Sequence, residues 1–295
     1  MKRINRLVFL IICFGITFVN AQFRSIKIGD DTRRFILYVP SSYNSTSSNQ
    51  VPLVFNFHGG GMTASEQMMY SGMNKTAEKY GFIIVYPVGK NQDWNVGFDM
   101  SYKYGSDDIS YVKGILNYVQ GNYNIDKDAI FACGLSRGGF FSHRLAAEMP
   151  DVFSAIASVS GLLPDSVKYY HKSTKNVSVL QVHGTSDRVV NYNGKDGGYS
   201  SAQQTFDYWT RHNQLDISSL SISKIDSSRN DNTSIEFKMI KDKSIAVQLI
   251  TINGGGHTWP GSDTFNIGFP LGPTTKHIDI NEVIWDFFKS HKRKQ

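Results

Sequence analysis

The chain has 295 residues, 40% of them hydrophobic and 19% charged, with a formal net charge of +6 at pH 7. That length allows one large α/β core, and two cysteines (Cys13 and Cys133) exclude a disulfide framework. The modest positive charge calls for no nucleic-acid partner.

The first segment reads as a targeting signal rather than as part of the fold. Lys2, Arg3 and Arg6 precede an apolar run over residues 7–19, and Ala21 supplies a small residue at a cleavage position. The run is too short to span a bilayer comfortably, which takes about 20 apolar residues. Residues 1–21 are expected to be a signal peptide, leaving a secreted or periplasmic chain of residues 22–295 with no stable membrane insertion. Cleavage removes three cations and no anions, so the net charge falls to +3, and only Cys133 remains.

After the signal, strand-like and helix-like runs alternate. "RRFILYVP" and "VPLVFNF" read as strands flanking the polar loop "SSYNSTSSNQ", and residues 64–80 have helical length and composition. "FIIVYP" is a buried-strand run. "DDISYVKGILNYVQGNY" then places Ile109, Val112, Ile115, Leu116 and Val119 at helical spacing behind an acidic first turn. "AIFACG" (strand), residues 138–149 (helix), "AIASVS" and "VSVLQVHG" (strands) continue the alternation. Residues 202–212 (helix), 234–240 and 245–252 (strands) and 279–289 (helix) complete it. The pattern predicts a single α/β domain: a mostly parallel central sheet with helices on both faces. The terminal "KSHKRKQ" reads as a solvated end.

The sharpest local signal is "CGLSRGGF", which sets Gly134-x-Ser136-x-Gly138 between a buried strand and a helix. That is the context of a nucleophile elbow, where small residues flank a serine held above the sheet and the helix N-terminus favours developing negative charge. A serine hydroxyl needs a base within hydrogen-bond reach and an acid to orient that base. In α/β-hydrolase order these follow as acid, then histidine. Asp187, in the turn after "VLQVHG", is the acid expected, and His257 in "GGGHTWPG" the base. His143 lies inside the helix after the elbow and should point away. His183 ends a strand and reads as structural, while His212, His277 and His291 read as surface residues. The Arg137 amide is one expected oxyanion donor. "FNFHGGGM" supplies the other, with Gly60 chosen among the three glycines and His58 bracing the loop.

Taken in order, "HGGG", "DWNVG", "DDISYV", "GLSRGG", "HGTSDRVVNY" and "GGGHTWPG" resemble the poly(3-hydroxybutyrate) depolymerase-like and feruloyl esterase-like group of secreted α/β-hydrolases. The resemblance covers residues 34–285. It implies Ser136 as nucleophile, Asp187 as acid and His257 as base, and it points to Trp259 and Trp94 as substrate contacts. Asp107 and Asp108 resemble paired acids at a helix start and read as structural caps. The implied activity is serine carboxylic-ester hydrolysis without metal or organic cofactor. Feruloyl or acetyl esters of polysaccharides are the leading substrates, a polyester is the alternative, and a serine peptidase is the reading from a different class.

Overall fold

The computed structural model describes residues 21–225, 231–265 and 270–293. Of the expected signal peptide only Ala21 falls among them; residues 1–20 lie outside the described residues. The elements in order are β1 (Ala21–Ile28), β2 (Asp31–Tyr38), β3 (Val51–Phe57), α1 (Ala64–Ser71), α2 (Asn74–Tyr80), β4 (Ile83–Pro87), α3 (Asp108–Asn122) and β5 (Ile125–Leu135). There follow α4 (Arg137–Glu148), β6 (Ala155–Val159), α5 (Asp165–Tyr170), β7 (Ser178–Gly184), α6 (Ala202–His212), β8 (Ser221–Ile225), β9 (Ser234–Asp242), β10 (Ile245–Asn253) and α7 (Ile280–Ser290).

These strands form one ten-stranded sheet in the order β1-β2-β4-β3-β5-β6-β7-β10-β9-β8. The block from β4 to β10 is parallel, and antiparallel strands close it at each edge. The alternation of side chains along a strand divides the core into two layers. Leu53, Phe55 and Phe57 of β3 face a layer that holds Val112 and Ile115 of α3, Phe141 of α4 and Trp209 of α6. Val54 of β3, with Phe131 and Cys133 of β5, faces Tyr70 of α1, Ala77 of α2 and Trp285 of α7. Burying each such large apolar side chain stabilises the fold by about 1.5–3 kcal/mol. Among the described residues no helix is long and apolar enough to cross a membrane.

Backbone hydrogen bonds stitch the C-terminal ends of the parallel strands. The Ser136 amide donates to Val159 O at 2.8 Å, Ser160 to Val182 O at 2.9 Å, and Thr185 to Ile252 O at 2.9 Å. The residues that follow β5, β7 and β10 are thereby held along one edge of the sheet. The C-terminal tail is also more firmly attached than its charge suggests. The Arg293 amide donates to Asp128 O, and its guanidinium donates to Pro150 O and Asp151 O.

Candidate active site

Ser136 sits between β5 and α4 with φ 55° and ψ −118°, a conformation that L residues rarely adopt. Such a residue costs about 1–3 kcal/mol and persists only where its surroundings over-determine it. Here they do. A Cβ at Gly138 would lie 2.2 Å from Phe57 O, and one at Gly134 would lie 2.5 Å from the Gly138 carbonyl carbon. Only glycine allows the chain to fold this closely on either side of the serine, and α4 starts directly behind it.

The HGGG loop after β3 packs against this elbow. A Cβ at Gly59 would lie 3.5 Å from the Ser136 Cβ, and one at Gly60 would lie 3.6 Å from the Arg137 Cβ. The Gly61 amide is committed to Gln92 O and the Met62 amide to Gly59 O, which removes both as oxyanion donors. His58 braces the loop as expected. Its Nδ1 faces Gly59 O at 2.8 Å and its Nε2 accepts the Gly89 amide at 2.9 Å, fixing a neutral tautomer. Burial pushes its pKa down to about 4. The Arg137 side chain turns along the same wall, with Nε 3.0 Å from Asp93 Oδ1 and the guanidinium over the Phe98 ring.

Asp187 and His257 meet across adjacent parallel strands. His257 Nδ1 is 2.7 Å from Asp187 Oδ2, while Asp187 Oδ1 accepts the Val189 and Val190 amides at 2.9 and 2.8 Å. Burial raises the carboxyl pKa, but the hydrogen bond and charge of His257 outweigh it and hold Asp187 below the ordinary 3.8. His183 lies against the same carboxylate, with Nε2 3.4 Å from Oδ2, and Nε2 donates to Val190 O at 2.8 Å. The histidine loop is pinned in its turn: the His257 amide donates to Leu271 O, the Gly256 amide to Pro273 O, and the Ser186 amide to Gly255 O.

Ser136, Gly60, Arg137 and His257 line one cavity of about 440 Å³. Its remaining walls are mainly apolar and aromatic, with Met62, Tyr70, Phe98, Phe140, Tyr199 and Phe265 prominent. Phe140 follows the elbow serine by one helical turn, a spacing that could have revealed it. Tyr70 and Phe265 carry no such signal, because they arrive from separate loops and helices.

The two tryptophans do not join this cavity, which corrects the substrate contacts expected of them. Trp259 is fully buried, its indole N–H donating to Asn281 Oδ1 at 3.0 Å and its amide to the Tyr70 hydroxyl at 2.9 Å. Trp94 is fully buried against Phe57 and Phe141, with its indole N–H on His58 O at 2.9 Å. Each indole has an internal acceptor and an apolar bed, so neither ring is available to a ligand. His277 is not a surface residue either, since its Nε2 pairs with Asp231 Oδ1 at 2.9 Å and its side chain is buried. Asp107 caps α3 through the Ser110 amide. Asp108 instead forms a buried ion pair with Arg33 at 2.7 Å and accepts the Asn95 amide at 2.8 Å. His143 is buried between Gln181 and Trp209, away from the cavity.

A family model described as "Putative esterase" matches residues 26–237. "Putative esterase NocK" of Nocardia uniformis subsp. tsuyamanensis is 26% identical over 281 residues, spanning 90% of this chain and 81% of that protein. A "Probable feruloyl esterase C" of Aspergillus oryzae is 26% identical, with 89% of this chain and 85% of the relative covered. The "Bifunctional acetylxylan esterase/xylanase XynS20E" of Neocallimastix patriciarum is 25% identical over 78% of this chain, which spans only 32% of that protein. Among solved structures, the acetyl xylan esterase from Aspergillus awamori shares the fold at a TM-score of 0.63 and 17% identity, covering 91% of this chain and 99% of that one.

Proposed function

The chain belongs to the Esterase family and is a carboxylic-ester hydrolase, and from that premise we propose that it cleaves aromatic or acetyl esters linked to polysaccharides through Ser136, His257 and Asp187. The Asp187–His257 hydrogen bond carries the reading. It commits Nδ1–H of the imidazole to the carboxylate and leaves Nε2 as the basic atom in a residue lining the cavity that Ser136 also lines.

In the first half-reaction the Ser136 Oγ attacks the ester carbonyl carbon while its proton passes to His257 Nε2. The tetrahedral oxyanion is held by the Arg137 and Gly60 amides beside the N-terminus of α4. When it collapses, the bond to the alcohol oxygen breaks and the imidazolium returns the proton to that alcohol. Water then attacks the acyl-enzyme with His257 again as base, releasing the acid and restoring Ser136. Throughout, the Asp187 carboxylate stabilises the imidazolium and its orientation. The aromatic walls of the cavity support a phenolic acyl group, and the relatives described as feruloyl and acetylxylan esterases support the same substrate class.

Ser136→Ala should lower hydrolysis of methyl ferulate on the order of 10⁴-fold or more. Activity retained in that variant would overturn the serine mechanism. A panel of methyl ferulate, acetylated xylan, oligomeric poly(3-hydroxybutyrate) and a peptide amide tests the substrate class. Turnover confined to the polyester or the amide would overturn that half of the proposal.

We also propose export, supported by the cationic start, apolar run and small residue of residues 1–21. Gln22 would then open β1, where it pairs with Leu37. N-terminal sequencing of exported protein should begin at Gln22, and an intact Met1 there would overturn the processing.

A further inference from the structure

A second cavity, of about 400 Å³, lies beside the catalytic one, between α1, α2, residues 261–265 and the first turn of α7. The two share Tyr70 and Phe265, whose rings stack with centroids 4.7 Å apart and planes 22° apart. The Tyr70 hydroxyl accepts the Trp259 amide, so the partition is anchored to the backbone next to His257.

Chemically the two sides differ. The catalytic side is walled by Met62, Phe98, Leu135 and Phe140 among others, whereas the far side presents the ammonium groups of Lys75 and Lys79, the carboxylates of Asp263, Asp279 and Glu282, and the hydroxyl of Thr264. Its charges are largely balanced: Lys79 pairs with Glu282 at 2.9 Å, and Asp263 with Lys276 at 3.2 Å. A cavity with hydrogen-bonding groups of both signs, charges that nearly cancel and a ring face at one wall suits an uncharged polyol better than an anion or an apolar chain. Sugars bind in this way, with hydroxyls on polar side chains and C–H faces on aromatic rings.

We infer that this second cavity is the subsite for the sugar portion of a sugar-linked ester, with the Tyr70–Phe265 stack separating it from the acyl side. The inference rests on the esterase reading above and extends it to the alcohol half of the substrate. Lys75 and Thr264 are exposed, and neither makes a side-chain hydrogen bond among the described residues, so both are open to sugar hydroxyls.

The test compares methyl ferulate with a feruloylated arabinoxylo-oligosaccharide for the wild type, Lys75→Ala and Thr264→Trp. The variants should lose about tenfold in kcat/KM on the oligosaccharide ester, mostly through KM, and stay within about twofold on methyl ferulate. Equal effects on both substrates, or none on either, would overturn the subsite. A second measurement separates this from the catalytic reading: calorimetric titration of Ser136→Ala protein with the unesterified arabinoxylo-oligosaccharide. Binding that Thr264→Trp removes supports the subsite even where ferulates are not turned over. Absence of binding to Ser136→Ala protein overturns it.

Discussion

Trp259 follows His257 by two positions, yet the histidine lines the cavity shared with Ser136 and the indole is sealed among α1 and α7 side chains. In a regular strand that spacing would put both on one face. In a loop built from glycines and a proline no period applies, and the direction of a side chain cannot be read from its place in the motif. The residues proposed as nucleophile, acid and base stand out in the sequence for the opposite reason. Each is tied to a strand end, and the elbow glycines are demanded by backbone contacts near 2 Å that any side chain would violate. His277 escaped because its partner, Asp231, lies far off in sequence. Trp259→Phe removes the donor to buried Asn281 Oδ1, a loss of about 1–3 kcal/mol. The variant should melt earlier in calorimetry while its KM for methyl ferulate stays within about twofold. A raised KM at unchanged stability would return Trp259 to the substrate site.

Among elements, the long apolar runs of the parallel strands were legible because burial on both faces leaves little room for any other composition. The helix expected over residues 64–80 is in fact two. Gly72 adopts φ 61° and its amide closes on Met68 O, so α1 ends there and α2 starts at Asn74. β1 was not anticipated. It alternates half-buried and exposed residues at the sheet edge, a weak pattern next to a strongly apolar run that draws the eye as a signal. The Arg33–Asp108 pair shows why a helix-start acid can mislead. An aspartate at the first helical position commonly serves the helix, but this one is fully enclosed and spends its charge on β2 and on the Asn95 amide. Its removal would leave a buried guanidinium uncompensated and release the Asn95 amide, in the loop whose Asp93 and Phe98 line the cavity.

Across the whole molecule, three enclosed histidines set a pH limit. Burial pushes His58, His143 and His183 down to about 4, against an ordinary value of 6.5. Well above pH 6.5 the native and unfolded chains hold these rings equally neutral. As the pH falls from 6.5 toward 4 the unfolded chain takes up protons that the native chain refuses, so stability is lost across that window. At pH 5 the loss is on the order of 2 kcal/mol for each ring. The thermal midpoint should fall clearly between pH 7 and pH 5, and a flat midpoint would contradict the neutral buried rings. The stitched strand ends have a different implication, one about assembly. The three side chains proposed as reactive follow β5, β7 and β10, and β10 is the last strand among the described residues. Nothing local joins them, so their meeting depends on long-range strand order and register, the slowest kind of contact to form. On the proposed mechanism, a nascent chain that has emerged only as far as β9 would carry Ser136 and Asp187 but not His257, and would act on esters only once its sheet is whole.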